Sequence, residues 1–138
     1  MADAVTSQTL SDGDRVAVVK FTNISDGSGE ASVAKVDVSA LANNSAGAAC
    51  ALASIEQVWY DIGGMRVALE WNATTNVVAA VLGGSAAAGY VSGHMDFRSF
   101  GGIKNTDASG VDGDIDLTTH GHTAHDHYTI VLQLRKSY

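Results

Sequence analysis

The chain has 138 residues, 46% of them apolar and 17% charged, with a net charge of −7 and a single cysteine, Cys50. That length suits one domain with a real core, the acidic balance argues against a nucleic-acid partner, and one cysteine leaves no intrachain disulfide to form. Proline is absent and glycine abundant, so turns fall to Gly, Asn, Asp and Ser.

Residues 1–10 are polar, with Val5 and Leu10 as the larger apolar side chains. They read as an N-terminal arm, either loose or adding as a strand to a neighbour's sheet edge. The segment has neither the basic start nor the apolar centre of a signal peptide. No apolar run approaches the ~20 residues of a membrane span, so no membrane partner is expected, and folding in a reducing cytoplasm suits the lone cysteine.

Residues 11–138 read as a single β-sandwich domain. Arg15 to Ile24 is rich in β-branched and aromatic residues and predicts a strand. Ser25–Glu30 predicts a hairpin loop, and Ala31–Leu41 a returning strand with Ala34, Val36 and Val38 on one face. Ala42–Ala49 reads as a loop, with a helix over Ala42–Ser54 as the alternative that its alanines allow.

The stretch from Ser54 to Asn72 organises the chain. Val58, Tyr60 and Ile62 alternate with more polar residues, as do Met65, Val67, Leu69 and Trp71. A period of two marks a strand with one buried face, and Gly63-Gly64 between the runs predicts a central hairpin. Val77–Leu82 predicts a short apolar strand buried on both faces, and Gly83–Gly89 a surface loop. Tyr90–Phe97 predicts a strand, Phe97–Ile103 a glycine corner and Asn105–Gly113 a long turn. Gly113–Thr119 predicts a strand with Ile115 and Leu117 inward. His120–Asp126 turns the chain into a last strand, where Tyr128, Ile130, Leu132 and Leu134 alternate cleanly. About eight strands with regular turn signals predict an all-β fold, an antiparallel, jelly-roll-like sandwich with little or no helix.

Chemistry-bearing residues are few. His120, His122, His125 and His127 are close in sequence, and three imidazoles on one hairpin would suit zinc or nickel. Their spacing matches no ligand motif, however, and a solvated, histidine-rich tip is the plainer expectation. His94 reads as a packing or surface histidine. Asp112, Asp114 and Asp116 resemble the opening of a calcium loop, but the glycine and glutamate that an EF-hand needs are replaced by Leu117 and Thr123. With Asp107 they fit wet strand or turn positions. Cys50 sits in an alanine-rich run without a charged neighbour and reads as a small packing residue. No nucleophile elbow and no phosphate-binding loop is present. The expectation is therefore no catalytic residue, no bound metal and no cofactor.

Four stretches carry a resemblance: AKVDVSAL (Ala34–Leu41), VALEWNATTNVV (Val67–Val78), MDFRSFGGIKN (Met95–Asn105), and GDIDLTTHG followed by DHYTIVLQLRK (Gly113–Lys136). Together they resemble a family of small virion structural proteins of tailed bacteriophages. The resemblance implies a non-enzymatic component of the particle. Its first form is a capsid decoration (cement) protein on the outside of the head, with a tail or neck component as the alternative. It further implies the major capsid protein or other virion proteins as partners, and a homo-oligomer or many copies held on a lattice by avidity. The competing class is a carbohydrate-binding sandwich displaying Trp59, Tyr60, Tyr90 or Tyr138. Strand alternation places the adjacent Trp59 and Tyr60 on opposite faces.

Overall fold

The computed structural model describes residues 3–83, 90–104 and 112–138. Among these residues nine strands form: β1 (Ala4–Asp12), β2 (Val16–Asp26), β3 (Val33–Val36), β4 (Leu52–Gly63), β5 (Arg66–Trp71), β6 (Val77–Gly83), β7 (Tyr90–Asp96), β8 (Ile115–His120) and β9 (Ala124–Ser137). Two three-residue 3-10 turns, Val38–Ala40 and Arg98–Phe100, complete the regular structure. All strand pairs are antiparallel. One sheet runs β1-β2-β9-β4-β7 and the other β3-β8-β5-β6. From β2 onward this is the strand order of a jelly roll, an all-β sandwich, and β1 is an additional edge strand on the larger sheet.

The core lies between the sheets and follows the alternation. Phe21 from β2, Val58 and Ile62 from β4, Val67, Leu69 and Trp71 from β5, and Ile115 and Leu117 from β8 are buried. Tyr128, Ile130, Leu132 and Leu134 of β9 face the same interior. In the larger sheet β9 is central, paired with β2 on one side and β4 on the other.

The expected central hairpin does not form. β4 pairs with β7 and β9, whereas β5 pairs with β6 and β8. The Gly63-Gly64 turn carries the chain from one sheet to the other, and Met65 is buried beneath it. Gly64 has φ +83°, and a Cβ there would collide with the Asp126 carboxylate, so the corner requires glycine. A sheet crossing and a hairpin share one sequence signature, two alternating runs joined by glycines, which is why the pattern did not separate them.

Other expectations are corrected in the same way. β2 and β3 lie in different sheets, as do β8 and β9, so neither Ser25–Glu30 nor His120–Asp126 closes a hairpin. The strand expected over Ala31–Leu41 is short, ending at Val36, and Asp37 caps a 3-10 turn through its bond from Ser39 N. Ala42–Ala51 holds no helix. β6 is an edge strand with Val77, Val78 and Val81 exposed, rather than one buried on both faces. The arm expected over 1–10 is a strand from Ala4 onward, paired along its length with β2 of its own chain. The Gly83–Gly89 loop and the Asn105–Gly113 turn fall largely outside the described residues.

Candidate interaction surface

The outward face of the larger sheet carries the most organised set of polar and aromatic side chains. A bulge in β4 starts it. Ile55 pairs with Leu134 and Gln57 with Gln133, leaving Glu56 as the extra residue. A bulge places two residues opposite one, and here both Glu56 and Gln57 reach the outward-facing side chains of β9. Ile103 pairs with Ile55 beside the bulge, through reciprocal backbone bonds of 2.9 Å.

A hydrogen-bond ladder crosses three strands from there. His94 Nε2 meets Gln57 Oε1 at 2.8 Å, and Gln57 Nε2 donates to Gln133 Oε1 at 2.9 Å. Gln133 Nε2 donates to Glu56 Oε1 at 3.1 Å, and Arg135 Nε donates to Glu56 Oε2 at 3.0 Å. Because the amide oxygen of Gln57 only accepts, His94 donates from Nε2. Burial pushes the Glu56 carboxyl up, but the bonds from Gln133 and Arg135 outweigh it and hold the group below its usual value. Glu56 and Gln57 are buried although they lie on an outer face. Trp59 stands beside them, 37% exposed, its ring stacked on His94 at 4.9 Å and 12°. At the rim, Arg98 grips Asp96 with two-pronged geometry and holds its pKa at about 2. Tyr90, on the same face, is 81% exposed.

A second polar cluster is internal and ties loops together. Glu30 accepts from Tyr128 Oη and from Asn23 Nδ2, each at 2.6 Å, and pairs with Lys35 at 2.5 Å, all nearly shielded from solvent. Burial first, and then Glu30, push the Tyr128 hydroxyl pKa well up. Three donors on one carboxylate satisfy a buried charge that would otherwise be costly. At the rim of this cluster the Asp3 carboxylate accepts from Asn23 Nδ2, Asp26 N, Ser28 Oγ and Gly29 N. Burial raises its pKa, but these bonds outweigh burial and leave it below the ordinary range.

The histidines do not converge. His120 ends β8 exposed, and His125 is exposed with φ +73°. His122 lies against Gly29, with Nδ1 3.3 Å from Thr119 Oγ1, and His127 lies 6.0 Å from the Tyr90 ring. The aspartates separate as well. Asp112 accepts from Asn72, Asp114 from Val38 N and Asp116 from Asn76. Burial, with Asp112, Asp37 and Asp116 nearby, raises the Asp114 pKa. Among the described residues no three His, Cys, Asp or Glu side chains gather as a metal set. Asp107 lies outside those residues. Cys50 is buried, its Sγ donating to Leu52 O, and burial pushes its thiol pKa up.

The chain matches no protein-family model, no curated protein and no solved structure. Trp59 and Tyr60 do lie on opposite faces, Tyr60 packing against the core. The ladder itself was invisible beforehand, because Gln57 and Gln133 are 76 residues apart. The one available signal was the break in alternation at Glu56-Gln57, two polar residues in an otherwise alternating strand.

Proposed function

We propose that this chain is a non-enzymatic structural protein of a tailed-phage particle, a decoration or cement protein that binds the outside of the capsid lattice and stabilises the head. Two things support the reading. The four stretches that resemble small phage virion proteins map onto the sandwich body: β3 and its 3-10 turn, β5 to β6, the end of β7 with its corner, and β8 to β9. The observation that carries it is the outward face of the larger sheet. That face presents Trp59, Tyr90 and Arg135 around the buried amide ladder. Trp, Tyr and Arg dominate binding energy at protein interfaces, and side chains already held by hydrogen bonds lose little entropy on docking.

The test is reconstitution on undecorated capsids of the parent particle. The wild-type protein saturates defined lattice positions and raises the temperature at which heads rupture. Trp59→Ala keeps the fold but weakens capsid binding about thirtyfold or more, as loss of an interface anchor does. If wild-type protein leaves capsids bare, the decoration reading fails, and binding to isolated tails or necks becomes the next measurement.

A further inference from the structure

The larger sheet has five strands and the smaller four, and β1 is the strand left over. Every residue from Ala4 to Ser11 is exposed. The inner face of β1 opens onto a cleft of about 110 Å³ lined by Ser7, Thr9, Val19, Phe21 and Lys35. Its outer edge carries the unpaired backbone groups of a sheet margin, a template for another strand. Natural edges are usually protected by lysine, proline or inward-pointing charge. β1 has none of these from Ala4 to Ser11, in a chain of net charge −7. The nearest acids are turned away from the edge. Asp3 is engaged by the 25–29 loop, and Asp12 pairs with Lys136 and accepts from Ala42 N at 2.7 Å. The run from Ala4 to Thr9 is uninterrupted, and the bulge comes only at Leu10.

The other edges differ. β3 has four residues and carries Lys35, β7 ends in the Asp96–Arg98 ion pair, and β6 is broken by a register shift between Leu69 and Glu70 of its partner strand.

We infer that β1 is a self-association edge: two copies of this chain join β1 to β1, antiparallel, across a twofold axis. The occupant follows from charge. An acidic protein meets a second copy of itself at least cost where its own surface is neutral; β6 is neutral too but is interrupted at Ala79 by its bulge, which leaves β1 as the longer unbroken neutral margin. A twofold axis makes the contact self-complementary. Centred on Ser7, it sets Val5 beside Thr9 of the second copy on one face and Thr6 beside Gln8 on the other. Neutral, largely β-branched neighbours of that kind stabilise cross-strand pairs. The two larger sheets then become one continuous sheet. The inference stands apart from the capsid proposal and is tested on purified protein alone.

Sedimentation equilibrium over a wide concentration range reads the dimer. The wild type shows a reversible monomer–dimer equilibrium. Thr6→Lys/Gln8→Lys places lysines opposite one another at the axis and weakens dimerisation by about tenfold or more. Thr6→Lys/Gln8→Glu sets opposite charges in those same pairs and keeps dimerisation within about threefold of the parent. On β2, Thr22 faces Thr6 and Lys20 faces Gln8, so Lys20→Gln is carried in all the proteins compared, and with that neighbour neutral the circular dichroism and melting temperature of each variant stay near those of the Lys20→Gln parent. A wild type that remains monomeric at every concentration overturns the inference, and leaves the edge to a foreign strand. So does a Lys/Lys variant that dimerises like the parent, or a Lys/Glu variant as weak as the Lys/Lys one.

Discussion

Strands β9 and β1 belong to the same sheet, and they are ordered by different physics. β9 alternates buried Tyr128, Ile130, Leu132 and Leu134 with outward Thr129, Val131, Gln133 and Arg135 and is flanked on both sides. β1 has a strand on one side and side chains exposed on both faces. Hydrophobic burial holds β9, at roughly 25 cal/mol per Å² of apolar surface. Backbone bonds to β2 and a carboxylate at each end hold β1, Asp3 on the 25–29 loop and Asp12 on Lys136. A strand can therefore be well placed without contributing to the core, and such a strand is free to make its contacts elsewhere.

Substitutions should separate the two regimes. Leu132→Ala, at the centre of β9, should lower unfolding free energy by about 2–5 kcal/mol in urea titration, whereas Val5→Ala in β1 should stay within about 0.5 kcal/mol. A Val5→Ala loss as large as that of Leu132→Ala would show that β1 is part of the core after all.

Tyr128 sharpens the β9 side. Tyr128→Phe removes one of three donors to the buried Glu30 carboxylate and should cost about 1–3 kcal/mol. It should also change the alkaline limb. The Tyr128 pKa is raised in the folded protein, so its contribution is fully present below the unfolded tyrosine value of about 10 and is lost as pH rises above it. Stability should fall less steeply above that pH in the phenylalanine variant. Parallel curves for the two proteins would remove Tyr128 as the source.

Asp3 does the same for β1, with the smallest effect. Its folded pKa is lowered, so its contribution is present above the unfolded aspartate value of about 3.9 and is lost as pH falls toward its own lower value. Asp3→Asn should cost about 1 kcal/mol at neutral pH, with faster amide exchange confined to the first half of β1 and the 25–29 loop. Exchange that rises equally in β9 would mean that the two strands open as one unit.

The same contrast explains what could be read from the chain. The alternation in β5 and β9 is a record of burial, so the all-β sandwich and its inward residues were legible. β1 buries nothing, so AVTSQTLSD carries no such record and resembled an arm. Pairing across the sandwich was not legible either. Gly63-Gly64 serves a hairpin or a sheet crossing equally well, and only the partners of β4 and β5 decide between them. The site depends on pairs far apart in sequence, Glu56 with Arg135 and Glu30 with Tyr128. Single-chain periodicity holds no information about which carboxylate meets which donor.

The position of β9 has a consequence for how the molecule is made. Every strand it joins precedes it in the chain. While the ribosome is still working through β8, β2 and β4 have no strand between them, and each shows an unmatched margin to the crowded cell. The larger sheet can zip only after β9 has emerged, from contacts that span most of these 138 residues. Topologies of that kind fold slowly, and their incomplete forms are the species most exposed to sticking to one another. A protein made in many copies would meet that hazard at its most acute, and chaperone demand during translation of the strands before β9 is where it should show.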